Sequence, residues 1–174
     1  MNRNQTKKIV FTALMASLTA AATMVIHIPS PLHGYIHLGD GMVLLSSFIL
    51  GPFAGAAAGG IGSMLADLLS GYAFYAPATL LIKSLGAFLA GILYRRASSK
   101  NQGAGFKLLP VLSAGTVCSI VVTGGYFLFE STVYGPSASV VNVPLNVIQN
   151  LSSLIVACSL MPVLLRIDEL RGFK

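Results

Sequence analysis

Long apolar runs broken by short polar turns organise this chain. The runs predict helices at about 7 to 27, 53 to 70, 75 to 95, 107 to 130 and 139 to 165, with a shorter one at about 40 to 50. At 1.5 Å per residue, each long run is sufficient to cross a hydrocarbon core of about 30 Å. The run at 40 to 50 reaches only about 15 Å, so it needs the preceding loop to complete a crossing or lies obliquely against its neighbours. Proline and glycine mark the breaks, most densely in IPSPLHGYIHLGDG, residues 28 to 41. One connector, RASSKNQGAGF at 96 to 106, reads as soluble. The expectation is an all-α integral membrane protein: a six-transmembrane-helix bundle forming a single membrane domain over residues 1 to 174.

Composition strengthens this reading. Hydrophobic residues make up 55% of the chain and charged residues 9%, more apolar surface than a soluble domain of this length can bury. The formal net charge of +6 would suit nucleic acid if it lay along one face, but it does not. Arg3, Lys7, Lys8, Arg95, Arg96, Lys100, Lys107, Arg166, Arg171 and Lys174 fall at the ends and beside alternate connectors, while 28 to 39, 71 to 74 and 131 to 138 hold no lysine or arginine. That asymmetry places both termini in the cytoplasm of a multi-pass cell-membrane protein, with no nucleic-acid partner. The N-terminal apolar run is read as a retained first helix. Cys118 and Cys158 lie in apolar segments without metal-ligand spacing and read as inert thiols.

Ionisable groups at membrane depth are costly and mark interior positions. They are Asp40, Asp67, Lys83 and Glu130. Lys83 pairs with Asp67 or with Asp40 as a buried structural ion pair, or faces a ligand cavity; the two roles are compatible. Asn142, Asn146 and Asn150 recur every four residues with Gln149 beside them. They form either an interhelical hydrogen-bond ladder or a wall suited to a neutral, polar heterocycle. Tyr72, Tyr75, Tyr126 and Tyr134 sit near the outer boundary, as interface anchors or as a ring-stacking surface. No catalytic constellation emerges, since Ser63 lacks a histidine at its depth and no phosphate-binding G-x-x-x-x-G-K-[ST] loop exists. No metal site or cofactor is expected, and the chain is not expected to be an enzyme. Small residues stud the third run, GPFAGAAAGGIGSMLADLLSG, and the first, where Ala16 and Ala20 form an A-x-x-x-A pair; both permit close helix approach.

Taken together, the basic N-terminus, the alanine-rich first helix, IPSPLHGYIHLGDG, the glycine-rich third helix and YAPATLLIKSLGAFLAG resemble the substrate-binding S component of energy-coupling-factor (ECF) vitamin transporters. The resemblance covers nearly the whole chain and is nearest to the branch for hydroxymethylpyrimidine or pyridoxine-type B6 vitamers, with pantothenate and riboflavin carriers behind it. It implies a protein that captures a vitamin outside the cell and delivers it by joining a transmembrane coupling subunit and two cytoplasmic ATP-binding subunits. It also implies a coupling-subunit contact at Ala16 and Ala20. Ligand contacts are implied at His33, Tyr35 and His37 in the loop, at Tyr75 and Lys83, at Tyr126 and Glu130, and at Asn142 and Asn146. Asp40 and Asp67 remain structural. The absence of tryptophan departs from members that stack their ring on indole. The alternative is a stand-alone secondary carrier of a small polar heterocycle, with Asp67, Lys83 or Glu130 relaying protons.

Overall fold

The computed structural model of the protein describes residues 3–30, 35–99, 106–167 and 170. Its helices are α1 (Arg3–Val25), α2 (Asp40–Leu50), α3 (Pro52–Leu69), α4 (Ala76–Ser99), α5 (Leu108–Tyr134), a short α6 (Pro136–Ser139) and α7 (Val143–Leu164). Five helical segments are long and apolar enough to cross a membrane, the last being Pro136–Leu164 taken together. The chain is thus a multi-pass, predominantly helical membrane protein.

The run expected as one helix over 139 to 165 is divided. Gly135 takes φ 88° after α5, and Pro136 starts α6 with the fixed φ that suits a first turn. Pro144 has no N–H to give the Val140 carbonyl, so Val143 N–H bonds to it instead and residues Val140–Asn142 tighten into a 3-10 turn.

The shortness of α2 has a packing explanation. Every residue of it but Met42 is buried, because α2 sits inside the bundle against α1, α3, α4 and α7. A helix with no lipid face has no bilayer thickness to match. Its serines keep their hydroxyls on helix carbonyls: Ser46 Oγ bonds Val43 O at 2.8 Å and Ser47 Oγ bonds Leu44 O at 2.8 Å.

Around α2, α3 packs against both α1 and α4, α4 against α5, and α5 against α7. The glycines of α3 set these distances. A Cβ on Gly55 would strike the backbone of Ser47, and one on Gly62 would strike the Ala16 carbonyl oxygen and come 2.8 Å from Thr19 Cβ. Gly62→Ala is therefore expected to lower stability by roughly 1–3 kcal/mol through overpacking, read as a fall in melting temperature in detergent. Gly124→Ala, whose new Cβ meets nothing within 4 Å, serves as the neutral control; equal melting of the two variants contradicts this close α1–α3 contact.

The loop between α1 and α2 contains a feature that its composition did not disclose. His27–Pro29 (β1) and Tyr35–His37 (β2) pair antiparallel, with Ile28 opposite Ile36 and Pro29 opposite Tyr35. This hairpin closes over one end of the bundle, and residues of β2 are partly or fully buried there.

Candidate functional site

Beneath the hairpin lies a cleft formed by β2, the last turns of α3, the first turns of α4, the end of α5 and the start of α7. It is lined by Ser30, Tyr35, Ile36, His37, Asp67, Tyr75, Thr79, Tyr126, Glu130, Asn142, Leu145, Asn146 and Gln149. The cavity they enclose is small, about 30 Å³. The walls nearly touch.

Each wall residue is placed by its element. Asn142, the last residue of the 3-10 turn, and Asn146 and Gln149 of α7 fall at zero, four and seven residues, close to one face. Tyr75 immediately precedes α4, its carbonyl accepting the Thr79 N–H one turn later at 2.9 Å, and Tyr126 and Glu130 are four apart near the end of α5. Asp67 ends α3, where Tyr72 N–H closes back onto its carbonyl at 2.8 Å.

Hydrogen bonds tie these elements in pairs. Tyr35 donates to Asp67 Oδ1 at 2.6 Å, fastening the hairpin to α3. Burial, reinforced by that carboxylate, holds the Tyr35 phenol well above its ordinary range, so it remains a donor. Asn142 Nδ2 donates to Glu130 Oε1 at 2.8 Å, joining α7 to α5. The Thr79 and Tyr126 hydroxyls share a bond of 2.9 Å between α4 and α5. Rings line the rim: Tyr35 lies 4.6 Å from Tyr72, and Tyr75 meets Phe129 edge-on at 5.4 Å.

Behind this wall is a buried ionic knot. Lys83 Nζ approaches both Asp40 oxygens, at 2.6 and 2.7 Å, with the lysine wholly buried. Gln149 Nε2 donates to Asp40 Oδ2 at 2.7 Å, while its Oε1 accepts the His37 N–H at 2.9 Å. One side chain therefore links the ion pair, the cleft and the hairpin. Gly39 N–H donates to His37 Nδ1 at 3.0 Å, so a neutral His37 ring carries its proton on Nε2.

Of the sequence-derived site residues, Tyr35, His37, Tyr75, Tyr126, Glu130, Asn142 and Asn146 converge on the cleft. His33 lies outside the described residues. Lys83 is not among the lining residues: its ammonium is spent on Asp40 and sits 5.3 Å from the centre of the Tyr126 ring. Of the two possible partners for Lys83, the structure pairs Asp40; Asp67 instead joins Tyr35 and lines the cleft. Asn150 turns away, donating to Thr123 Oγ1 at 2.9 Å. Ser30 and Thr79 are wall residues that the sequence reading did not name, and Gln149 is one that it named only beside the asparagines. Ala16 and Ala20 are nearly covered, whereas Ala13 and Ser17 on the same helix are exposed. Among the described residues, no group of His, Cys, Asp and Glu is arranged to hold a metal.

Comparison with known proteins bears on what such a cleft serves. A family model described as the S component of ECF-type riboflavin transporters matches residues 3–166. A Pyrococcus woesei protein described only as an uncharacterised protein in the gap 3′ region is 33% identical over 135 residues, covering 77% of this chain and 85% of that one. The thiamine precursor transporter HmpT of Lactococcus lactis subsp. cremoris is 25% identical over 176 residues, covering 100% and 97%. Among solved structures, the S component of a bacterial ECF transporter superposes with a TM-score of 0.65 at 22% identity, over 90% of this chain and 94% of that one. That last likeness is one of fold.

Proposed function

Because the chain belongs to the family of ECF-type transporter S components, we propose that it captures a single-ring vitamin or vitamin precursor outside the cell for ATP-driven import. A B6 vitamer or hydroxymethylpyrimidine is favoured, with riboflavin and pantothenate behind. The observation that carries this reading is the cleft itself: phenols, amides and two carboxylates converge under a hairpin at one end of a membrane bundle. Narrow walls favour one small ring over a tricyclic one. The name of the L. lactis relative supports a thiamine precursor, while the description of the family model supports riboflavin.

In this reading all 174 residues form one membrane domain that crosses six times, with both termini cytoplasmic. The charge pattern supports that orientation, since the cleft lies at the end opposite the basic residues. Tyr35, His37, Tyr75, Tyr126, Glu130, Asn142 and Asn146 contact the ligand, and Lys83 acts from behind by fixing Asp40. His33 keeps its proposed role in the loop. The captured ligand passes inward when the protein joins a transmembrane coupling subunit and two ATP-binding subunits, which carry the hydrolysis.

Native mass spectrometry of the purified protein tests the reading directly. A bound heterocycle of B-vitamin size, released on unfolding, is the expected result. Ligand-free protein that binds no B vitamin on addition contradicts it.

A further inference from the structure

The hydrogen-bond inventory of the cleft says more than its shape. Buried polar atoms are ordinarily paired, and those that are not call for a partner. Among the described lining residues, three unpaired buried atoms are acceptors: Asp67 Oδ2, Glu130 Oε2 and Asn142 Oδ1. Their residues are 4%, 3% and 3% exposed, so bulk water does not satisfy them. Each carboxylate has one oxygen held by a neighbouring donor and the other with no partner at hydrogen-bond distance, with the Thr79 hydroxyl standing near Asp67 and the Tyr75 hydroxyl near Glu130. Ser30 Oγ is the only other unpaired buried atom on the described wall, and a hydroxyl serves in either sense.

Some of the wall's own donors are committed. The Tyr35 hydroxyl is on Asp67, Asn142 has given one N–H to Glu130, and Gln149 has given one to Asp40. Among the described residues no lysine or arginine lines the cleft, and the ammonium of Lys83 is taken by Asp40.

We propose that this site selects by hydrogen-bond polarity: it takes an uncharged or cationic ring bearing at least two N–H or O–H donors and rejects ligands carrying a carboxylate or phosphate. The inference rests on the vitamin-binding reading and narrows it. Asp67 and Glu130 are its specificity-determining residues, each receiving one ligand donor from its own side of the cleft, α3 and α5 respectively. An anionic ligand meets two buried carboxyl groups with no basic side chain among the described lining residues, and its oxygens add acceptors where acceptors already lack partners. Amino and hydroxymethyl substituents on a flat nitrogen heterocycle meet both demands.

Isothermal titration on the purified full chain, with ligand pairs that differ in one group, tests the proposal. The pairs are 4-amino-5-hydroxymethyl-2-methylpyrimidine against the corresponding 5-carboxylate, pyridoxine against 4-pyridoxate, and riboflavin against riboflavin 5′-phosphate, with pantothenate and biotin as further anions. The tightest ligand is expected to be uncharged or cationic, and its matched partner to bind at least about tenfold more weakly, the scale of a lost charge-assisted hydrogen bond. Asp67→Asn and Glu130→Gln are each expected to cost that ligand about tenfold or more and to shrink the gap within the pair. Should either variant fail to fold, the wild-type pairs decide. An anion binding as tightly as its uncharged partner overturns the polarity rule and leaves the vitamin-binding reading standing. Binding of nothing in the panel overturns both.

Discussion

Lys83→Ala is expected to destabilise the protein by about 3–5 kcal/mol, the cost of leaving one member of a buried ion pair without its counter-charge. Asp40 is 3% exposed and Lys83 wholly buried, so neither recovers water when the other is removed. Gln149 still donates one N–H to Asp40, but a neutral amide does not balance a carboxylate. The loss falls on α2 and α4 first, because the pair joins them, and spreads to the hairpin through Gln149 and His37. Replacing both members together, Lys83→Met with Asp40→Leu, is expected to restore most of the stability, since a well-packed apolar pair avoids the desolvation penalty altogether. Unfolding of the purified single and double variants in detergent measures this coupling. Equal losses that simply add would mean that the two groups do not depend on each other. The double variant carries a second readout: because Lys83 is absent from the cleft wall, vitamin binding should weaken only as far as Gln149 is released from Asp40, whereas a lysine that touched ligand would take binding with it.

The sequence displayed the membrane character and the loop-to-site correspondence because both follow from local pattern: run length, the placement of basic residues, and polar groups where polarity is costly. It did not display which aspartate Lys83 takes. Asp40 and Asp67 were equivalent candidates until the burial of α2 brought Asp40 alongside α4. The hairpin was hidden because three-residue strands, one ending in Pro29, leave no period to detect. The role of Gln149 was legible in principle. At about 100° per residue, a residue seven positions after Asn142 returns to within about 20° of its direction, while Asn150, eight after, is rotated by about 80°. Counting fours groups Asn150 with Asn142 and Asn146, whereas helical geometry places Gln149 on the cleft and sends Asn150 toward Thr123 on α5. The small residues of α1 were ambiguous for a different reason. Alanine at three- and four-residue spacing allows approach by any helix, and nothing in the spacing says whether that helix is α3 or one from another chain.

That ambiguity sharpens the expectation for coupling. Ala16 and Ala20 are 9% and 8% exposed, and Gly62 of α3 lies directly on the Ala16 carbonyl, so a bulky side chain at either position forces α1 away from α3. Loss of uptake there would not separate a blocked partner from a damaged fold. Ala13 and Ser17 are exposed and line a groove of about 840 Å³ between α1 and α3, with Ala16 and Ala54 on its floor and Phe53, Ile61 and Leu65 along its far side. A groove of small and apolar residues admits a close-packed helix in lipid. Ser17→Phe, or Ala13→Phe, fills it without reaching the cleft. Either substitution is expected to abolish vitamin uptake in cells and co-purification of the transmembrane coupling subunit, with the melting temperature and vitamin affinity of the isolated protein unchanged. Full uptake in both variants would move the coupling contact off this groove. Lost affinity in the isolated protein would show instead that α1 helps to shape the cleft from a distance.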